Sequence, residues 1–452
     1  IVFSRFQLFS SQRHVSTQPI ETTINHKRKN RMQTMFLMYH YFHGIELYNP
    51  IRVMIAAYVW MTGFGNFLWF YSHGSSNDNG NNSYSTVRVL QMLWRLNFSS
   101  VCLCLALNVP YLLYYICALH SYFFLLVYGT MRIGHLYNWN HDAKAVRIKL
   151  CVFAVFIYVV WDLDNGFLFT TFHGMFLSNQ PTVGASSGSL WEWYFRSTLD
   201  HWATLWGMVF ALHYPVTCLW LQKVEQRLDW RRCVAIKAVV GGVLLMATAW
   251  WIRGPFQQER FEYNQTHAYF SIIPLMTYIY FRNLTPWLRS HSLGLLQHLG
   301  QTTLETYLLQ HHIWMTTNSR TLLTLIPGYP QMNFLMVTAV YVVLSRCLFR
   351  VTLTLRSILL PSTSTVWQCF RNLGILTGSF IVCYSAVLFI KDVKVLNLTT
   401  LGFLSMAGGS LVHALSTHFA WQSSDDSPPS TKGHRVAAKY IPIPHLAGVL
   451  IV

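Results

Sequence analysis

The chain has 452 residues, of which 53% are hydrophobic, 16% aromatic and only 11% charged, and its formal net charge is +17. An ordinary soluble domain is about 25% charged, and a soluble protein of this make-up would expose far more apolar surface than solubility permits. A nucleic-acid-binding module is excluded as well, because the Lys and Arg residues sit in short clusters between apolar runs and not along one face.

About 20 apolar residues cross a bilayer as a helix, and on that ruler the chain is predicted to be all-α, a polytopic transmembrane bundle of about 10–12 spanning helices. Residues 1–31 come first, rich in Ser, Thr, Gln and Arg with Glu21 the lone acid. Residue 1 is Ile and not Met, so the true start is expected to lie upstream. The segment reads as a disordered polar linker to that missing part, with a transit peptide as the compositional alternative.

The first half then carries five predicted spans: Gln33–Leu47, which is short, Ile51–Tyr71, Leu90–Asn108, Tyr111–Thr130 and Ile148–Phe169. Seven more follow at His201–Leu221, Val234–Ile252, His267–Phe281, Leu293–Met315, Asn333–Phe349, Leu373–Ile390 and Thr400–Leu415. Ser72–Ser85 and Ser423–Lys439 are polar and read as disordered connectors.

Short cytoplasmic loops carry an excess of Lys and Arg. If every segment crosses once, Lys27–Lys29, Arg132–Lys149, Lys223–Lys237, Arg282–Arg289 and Arg346–Arg371 all fall on one side, which is therefore read as cytoplasmic. Thr170–Asp200 and Arg253–Thr266 become lumenal, as do the glycosylation sequons at Asn264 and Asn397. A sequon at Asn81 falls on the cytoplasmic side, and those at Asn97 and Asn283 lie at or inside segments.

The nine cysteines form no CxxC pair, so buried thiols are expected and neither a disulfide framework nor a zinc site. There is no internal repeat and no Gly-rich phosphate loop. Gly184-Ala185-Ser186-Ser187-Gly188 matches the G-x-S-x-G nucleophile elbow, but that motif works only on a strand-to-helix turn above a sheet, which a Ser/Gly-rich loop among membrane helices does not supply.

An ionisable residue at membrane depth costs about 2.5 kcal/mol or more, so each one asks for a partner, a cavity or a function. His40, His43 and Glu46 recur every third residue, a spacing that suits a metal or a proton relay on one helix face, and Arg52 follows within reach of Glu46 as an ion-pair partner or a substrate contact. Glu305 and His312 share a face of the otherwise apolar stretch around Thr302–Trp314, their backbones about 10.5 Å apart, which suits the lining of one cavity. A neutral His needs only one acceptor, so a structural role for His312 stands beside the functional one. Arg95 and Asn97 add a further boundary pair. The run Trp191-Glu192-Trp193-Tyr194-Phe195-Arg196, leading to Asp200, mixes aromatic rings with charges in a way that fits carbohydrate or an interfacial anchor.

With those residues in view, the sequence resembles the multi-transmembrane acyltransferase family of plant reduced-wall-acetylation proteins, fungal capsule O-acetylation proteins and animal sialate O-acetyltransferase. It is most similar to the plant branch. The runs that carry the resemblance are MFLMYHYF, YNPIRVMIAAYVWMTGFGNF, QMLWRLNF, LWEWYFRSTLD, YNQTHAYFSIIP and LGQTTLETYLLQHHIW, in family order between Arg31 and Pro361. The resemblance implies an acyltransferase-like transmembrane domain over 32–361, additional membrane segments over 362–420 and a polar to mixed tail over 421–452.

It further implies a multi-pass Golgi membrane protein that moves acetyl groups from cytosolic acetyl-CoA onto hydroxyls of lumenal glycans or wall polysaccharides. His40, Glu46, Arg52, Arg95, Asn97, Trp193, Arg196, Asp200, Tyr263, His267, Arg282, Glu305, Gln310 and His312 match the family runs. His43 and His311 depart from them, which weakens the metal reading, and no metal is expected. The lumenal serine-hydrolase-like domain of the animal and fungal relatives has no counterpart in this sequence, so a separate lumenal transferase of that type is a candidate partner. In the implied chemistry His40 or His312 is general base or transient acetyl acceptor, Glu305 sets an imidazole tautomer, Arg52 or Arg95 binds phosphate or oxyanion, and Arg282 holds the CoA phosphates. The rival reading is a transporter that passes the acetyl donor to that separate transferase.

Overall fold

The computed structural model describes residues 35, 37–42, 44–73, 86–139, 142–176, 179, 181, 188–290, 301–316, 321–361 and 365–392. Among them the fold is all-α, and the strands are confined to the two-residue antiparallel pair Met315–Thr316 and Thr321–Leu322. The main helices are α1 (Tyr48–His73), α2 (Thr86–Leu107), α3 (Tyr115–Arg132), α4 (Ala143–Ile157), α5 (Phe167–Gly174), α6 (Ser189–Thr198) and α7 (His201–Arg227). After these come α8 (Trp230–Arg253), α9 (Arg260–Phe270), α10 (Ile272–Arg282), α11 (Thr303–Leu309), α12 (Pro330–Leu359) and α13 (Val366–Asp392).

Six helical stretches among the described residues are long and apolar enough to cross a bilayer: Ile45–Tyr71, Thr86–Leu107, Tyr111–Arg132, Ser189–Gln226, Trp230–Gln257 and Pro330–Leu359. Local chemistry sets several helix ends. Pro50 sits in the first turn of α1, where a missing N–H breaks no helical bond. Asp142 caps α4, its carboxylate accepting from the Lys144 and Ala145 amides at 2.9 and 3.3 Å.

Four predicted spans are broken where the sequence pattern reads as continuous; in Leu293–Met315, described from residue 301, α11 passes through a π turn into the strand Met315–Thr316. Ile148–Phe169 ends as a helix at Ile157, continues through a π turn (Tyr158–Asp162) and a 3-10 turn (Leu163–Gly166), and restarts as α5. Gly166 allows this at φ +77°, and a Cβ there would stand 2.0 Å from the Tyr194 ring. His267–Phe281 divides at Ser271 into α9 and α10, because Pro274 has no N–H for the Phe270 carbonyl and its ring crowds that oxygen. In Gln33–Leu47 the helical residues 37–41 give way to a turn and a 3-10 stretch, Ile45–Leu47. Residues 1–31, the span Thr400–Leu415 and the tail 421–452 lie outside the described residues.

The chain divides into two compact units. The first comprises Ile1–Ser85, Leu96–Val101 and Val109–Phe349. Its centre is α1, which packs against α7 and α3. Two glycines allow the α1–α7 approach: a Cβ at Gly63 would lie 2.1 Å from the Thr204 carbonyl oxygen, and one at Gly207 would lie 2.2 Å from that of Trp60. Small residues at membrane helix crossings let backbones come this close. The second unit comprises Thr86–Arg95, Cys102–Asn108 and Arg350–Val452. There Val87, Leu360 and Cys369 form a small core, and Gln91 Nε2 donates to the Leu360 carbonyl at 2.7 Å.

Candidate functional site

In the first unit α1, α3 and α7 run parallel. Along α1 and α7, Arg52 meets Asp200, Trp60 meets Phe210 and Phe64 meets Tyr214. Along α1 and α3, Thr62 meets His120 and Phe70 meets Tyr128. Both number series rise together, so the three N-termini lie at one end of the bundle. The C-terminal ends of α3 and α7 carry Arg132 and Lys223–Arg227. The convergent N-termini, whose dipoles present partial positive charge, therefore lie at the end opposite the basic clusters.

A buried ion network occupies that end. Arg52 Nη2 donates to Asp200 Oδ2 at 2.9 Å, with both side chains 95% or more buried. His267 Nε2 lies 3.5 Å from Asp200 Oδ1, an ion-pair distance too poorly aligned for a hydrogen bond. Its Nδ1 is 2.9 Å from the Tyr263 hydroxyl. A carboxylate beside Nε2 favours the proton there, which leaves Nδ1 to accept from Tyr263. Arg52 Nε is buried without a hydrogen-bond partner, and Asp200 Oδ1 and His267 Nε2 are buried with only their mutual ion-pair contact. Asp200 Oδ1 and His267 Nε2 face each other, so Arg52 Nε is the atom of this cluster left for a further polar group. Tyr48 and Asn264 flank it, the Tyr48 hydroxyl donating to Asn264 Oδ1 at 3.0 Å.

A histidine–tyrosine cluster forms where the 3-10 turn Tyr111–Tyr114, the helical residues 37–41 and α11 come together. The Tyr114 hydroxyl and His312 Nε2 are hydrogen-bonded. His311 stands among the rings of Tyr307 (5.5 Å between centroids), Tyr114 (6.1 Å), His40 (6.3 Å) and His312 (6.5 Å). α11 passes into a π turn over Gln310–Trp314, a feature frequent at functional sites. The winding therefore changes between Glu305 and His312, and the uniform α-helical spacing assumed for them from sequence does not hold. Glu305 and Gln310 are fully buried. Tyr39 and Tyr115 connect the two clusters: Tyr39 packs edge-on against His40, and both tyrosines lie within electrostatic range of Arg52.

At the rim, the Tyr111 hydroxyl donates to Asn97 Oδ1 at 2.5 Å, Asn97 Nδ2 donates to Ser121 at 2.8 Å, and Tyr111 packs against Trp193. The Arg196 guanidinium lies 4.4 Å from the Tyr115 ring centre and 3.3 Å from Glu192. Nearby, Asp162 in the π turn accepts from His201 Nε2 (3.1 Å), Trp202 Nε1 (3.1 Å) and the Tyr269 hydroxyl (2.8 Å).

The structure thus brings together His40, Arg52, Asn97, Trp193, Arg196, Asp200, Tyr263, His267, Gln310 and His312 within the first unit, and places Glu305, fully buried, on the α11 helix that leads into the histidine cluster. It does not gather the others. The carboxylate partner of Arg52 is Asp200 and not Glu46, which is exposed in the 3-10 turn. Arg282 ends α10, at the basic end where Leu284 meets Lys237. Arg95 belongs to the second unit, with Arg356 as a neighbour. His43 and the elbow residues 184–187 lie outside the described residues. The Asn264 and Asn283 sequons are buried, a position closed to glycosylation in the folded protein, and Asn81 and Asn397 are outside the described residues.

Sequence reasoning missed Tyr114, Tyr115, Tyr307, Asp162 and His201, and it set His311 aside. Tyrosines are abundant in this chain, and no local spacing distinguishes a tyrosine that meets a histidine from one that anchors a helix at the membrane surface. His201 was legible in part, being adjacent to Asp200.

Membrane-spanning helices that enclose ionisable side chains define the class: a polytopic α-helical membrane protein with a polar interior, as membrane enzymes and transporters have. Residues 6–403 match the family described as "10 TM Acyl Transferase domain found in Cas1p", and the chain belongs to that family. It is 29% identical over 380 residues to the N-acetylneuraminate (7)9-O-acetyltransferase of Danio rerio. That alignment covers 79% of this chain and 45% of the relative, so the chain spans less than half of the relative's length. No solved structure matches significantly.

Proposed function

We propose that the protein is a membrane O-acetyltransferase that moves acetyl groups from acetyl-CoA onto hydroxyls of lumenal glycans, acting as a multi-pass protein of the Golgi membrane. One observation supports the reading: a buried Arg52–Asp200–His267 ion network, in which Arg52 Nε has no hydrogen-bond partner, lies beside the His40–His311–His312 cluster at the bundle end opposite the basic loops. By the positive-inside rule that end faces the lumen, where sugar acceptors are. The relationship to an O-acetyltransferase of a sialic acid supports acetyl transfer to a sugar hydroxyl as the chemistry.

In the proposed reaction a sugar hydroxyl oxygen attacks the acetyl carbonyl carbon. The new C–O ester bond forms, the C–S bond of the thioester breaks, and the hydroxyl proton passes to a histidine while the CoA thiolate leaves and takes up a proton. His312, tied to Tyr114, and His40 are the candidate bases or transient acetyl acceptors, which in enzymes contribute about 10²–10⁴-fold. Arg52, with the N-termini of α1, α3 and α7, favours the developing oxyanion. Arg282, at the basic end, is the candidate contact for CoA phosphates. The acceptors fitting this reading are glycans or wall polysaccharides, with a separate lumenal serine-hydrolase-type transferase as a further partner.

The test is glycan O-acetylation in cells lacking the native protein and expressing His40→Ala or His312→Ala. Loss of acetyl esters from secreted or wall polysaccharide, read by mass spectrometry, is expected; full activity in both variants overturns the catalytic assignment. A transporter of the acetyl donor is the second reading, supported by the ionisable side chains buried among the spanning helices. Liposomes holding the purified protein separate the two: acetyl on a histidine indicates transferase chemistry, and net movement of intact donor indicates transport.

A further inference from the structure

At the other end of the first unit α7, α8 and α10 enclose a half-open groove of about 280 Å³. Phe210, Trp220, Leu221, Leu244, Met276 and Ile279 form its apolar walls. Lys237 at its basic end apart, the polar side chains on its lining donate to the protein's own carbonyls. Thr217 donates to the His213 carbonyl at 3.0 Å, the Tyr280 hydroxyl to the Lys237 carbonyl at 2.6 Å, and Asn283 Nδ2 to the Ile279 carbonyl at 2.7 Å. An occupant bearing amides, such as a pantetheine arm, would leave amides against the apolar walls without partners, whereas a hydrocarbon chain needs none. Around the groove α7 and α8 expose Val216, Leu219, Val239 and Val243, the surface expected of helices in contact with lipid, so a chain can enter sideways from the bilayer.

The α7–α8 turn supplies the second half of the site. Between Gln222 and Lys237 five cations, Lys223, Arg227, Arg231, Arg232 and Lys237, stand against two carboxylates, Glu225 and Asp229. Lys237 Nζ lines the groove and is fixed by Glu225 at 2.7 Å and by the Leu284 carbonyl at 2.8 Å, which leaves one of its three N–H groups. Trp230 is exposed, with the Arg231 guanidinium 5.5 Å from its ring centre. Exposed Trp beside Arg is the composition of a membrane–water boundary, and this boundary is the basic one.

We infer that the groove between α7, α8 and α10 holds one acyl chain of an anionic phospholipid, whose headgroup phosphate sits on the basic α7–α8 turn. The anionic lipids of a cytoplasmic leaflet match this charge, each nearby Lys or Arg strengthening attraction by roughly fivefold. The site is independent of the acetyl-transfer reading, being built from the opposite end of the bundle.

The test uses the purified full-length chain in vesicles of phosphatidylcholine with and without phosphatidylserine, with melting temperature and co-purified lipid as readouts. Phosphatidylserine is expected to raise the melting temperature and to persist through delipidation. Leu244→Trp, which fills the groove, removes both effects. The double variant Arg231→Gln, Arg232→Gln abolishes the preference for phosphatidylserine over phosphatidylcholine, roughly a twenty-fivefold loss for two charges, while still retaining lipid. Equal behaviour of the two lipids in the unaltered chain overturns the proposal. So does lipid retention unchanged in Leu244→Trp, or displacement of the lipid by acetyl-CoA, which would assign the groove to the donor. Leu244→Ala, which enlarges the groove without filling it, is the folding control and should keep the phosphatidylserine response.

Discussion

Arg52 and Asp200 are 148 residues apart in sequence and 2.9 Å apart in the fold, both buried at the shared N-terminal end of α1 and α7. Removing one partner of a buried pair leaves an uncompensated charge and costs about 3–5 kcal/mol, whereas an apolar pair of similar volume can be neutral. Arg52→Gln or Asp200→Asn alone is therefore expected to lower the melting temperature sharply. The double variant Arg52→Met, Asp200→Leu should recover most of that stability, yet carry no glycan acetylation. Recovered acetylation in the double variant would limit the pair to a structural role.

Gly63 and Gly207 set the distance on which that ion pair depends. A methyl group at Gly63 meets the Thr204 carbonyl oxygen at 2.1 Å, and overpacking of this kind costs about 1–3 kcal/mol or more. Gly63→Ala and Gly207→Ala are expected to destabilise the protein and to abolish acetylation together. At Gly242 an added methyl group would have nothing within 4 Å of it, so Gly242→Ala should leave the melting temperature unchanged or raise it slightly.

Tyr114 is fully buried and bonded to His312. Tyr114→Phe keeps the ring and removes the hydroxyl, at a stability cost of about 1–3 kcal/mol for the bond left unmade. Acetylation per folded molecule is expected to fall about a hundredfold, the lower end of what a positioned acid–base group contributes. Activity normalised to the detergent-extracted folded fraction is the measurement, and an unchanged value removes Tyr114 from the site.

Asn264 accepts from the Tyr48 hydroxyl and is buried beside the Asp200 network. Glycosidase treatment is expected to release no sugar attributable to this sequon, so Asn264→Gln should not change the glycan-dependent mobility of the protein. A glycan found there would mean that α9 reaches its place only after the sequon has been modified.

Asp162 accepts from three donors on two helices, and removing its charge leaves His201, Trp202 and Tyr269 competing for one amide oxygen. Asp162→Asn should destabilise by about 1–3 kcal/mol and increase proteolysis in the segment from Tyr158 to Gly174. Thermal melting with limited proteolysis reads both effects.

Much of the fold is legible because lipid imposes one rule on a whole segment: about 20 apolar residues must close their own backbone hydrogen bonds as a helix. The spans at Ile51–Tyr71, Tyr111–Thr130 and Val234–Ile252 follow from that rule alone. The break at Ser271 is written locally in Pro274, but the break at Gly166 is not. Gly166 is needed because the Tyr194 ring lies against it, and that contact belongs to the folded chain.

The candidate site divides in the same way. The amino-acid sequence by itself determined that ionisable groups such as Arg52, Asp200, His267, Glu305 and His312 occur in or beside apolar segments, and that basic loops alternate, because hydropathy and charge are properties of single residues and short windows. Only the tertiary structure decided that Arg52 pairs with Asp200 and not with Glu46, that His311 stands among His40, Tyr114 and Tyr307, and that Arg282 lies at the opposite end. Those outcomes depend on which helices run parallel and how closely two glycines let them approach, and no periodicity within one segment encodes the position of its neighbour.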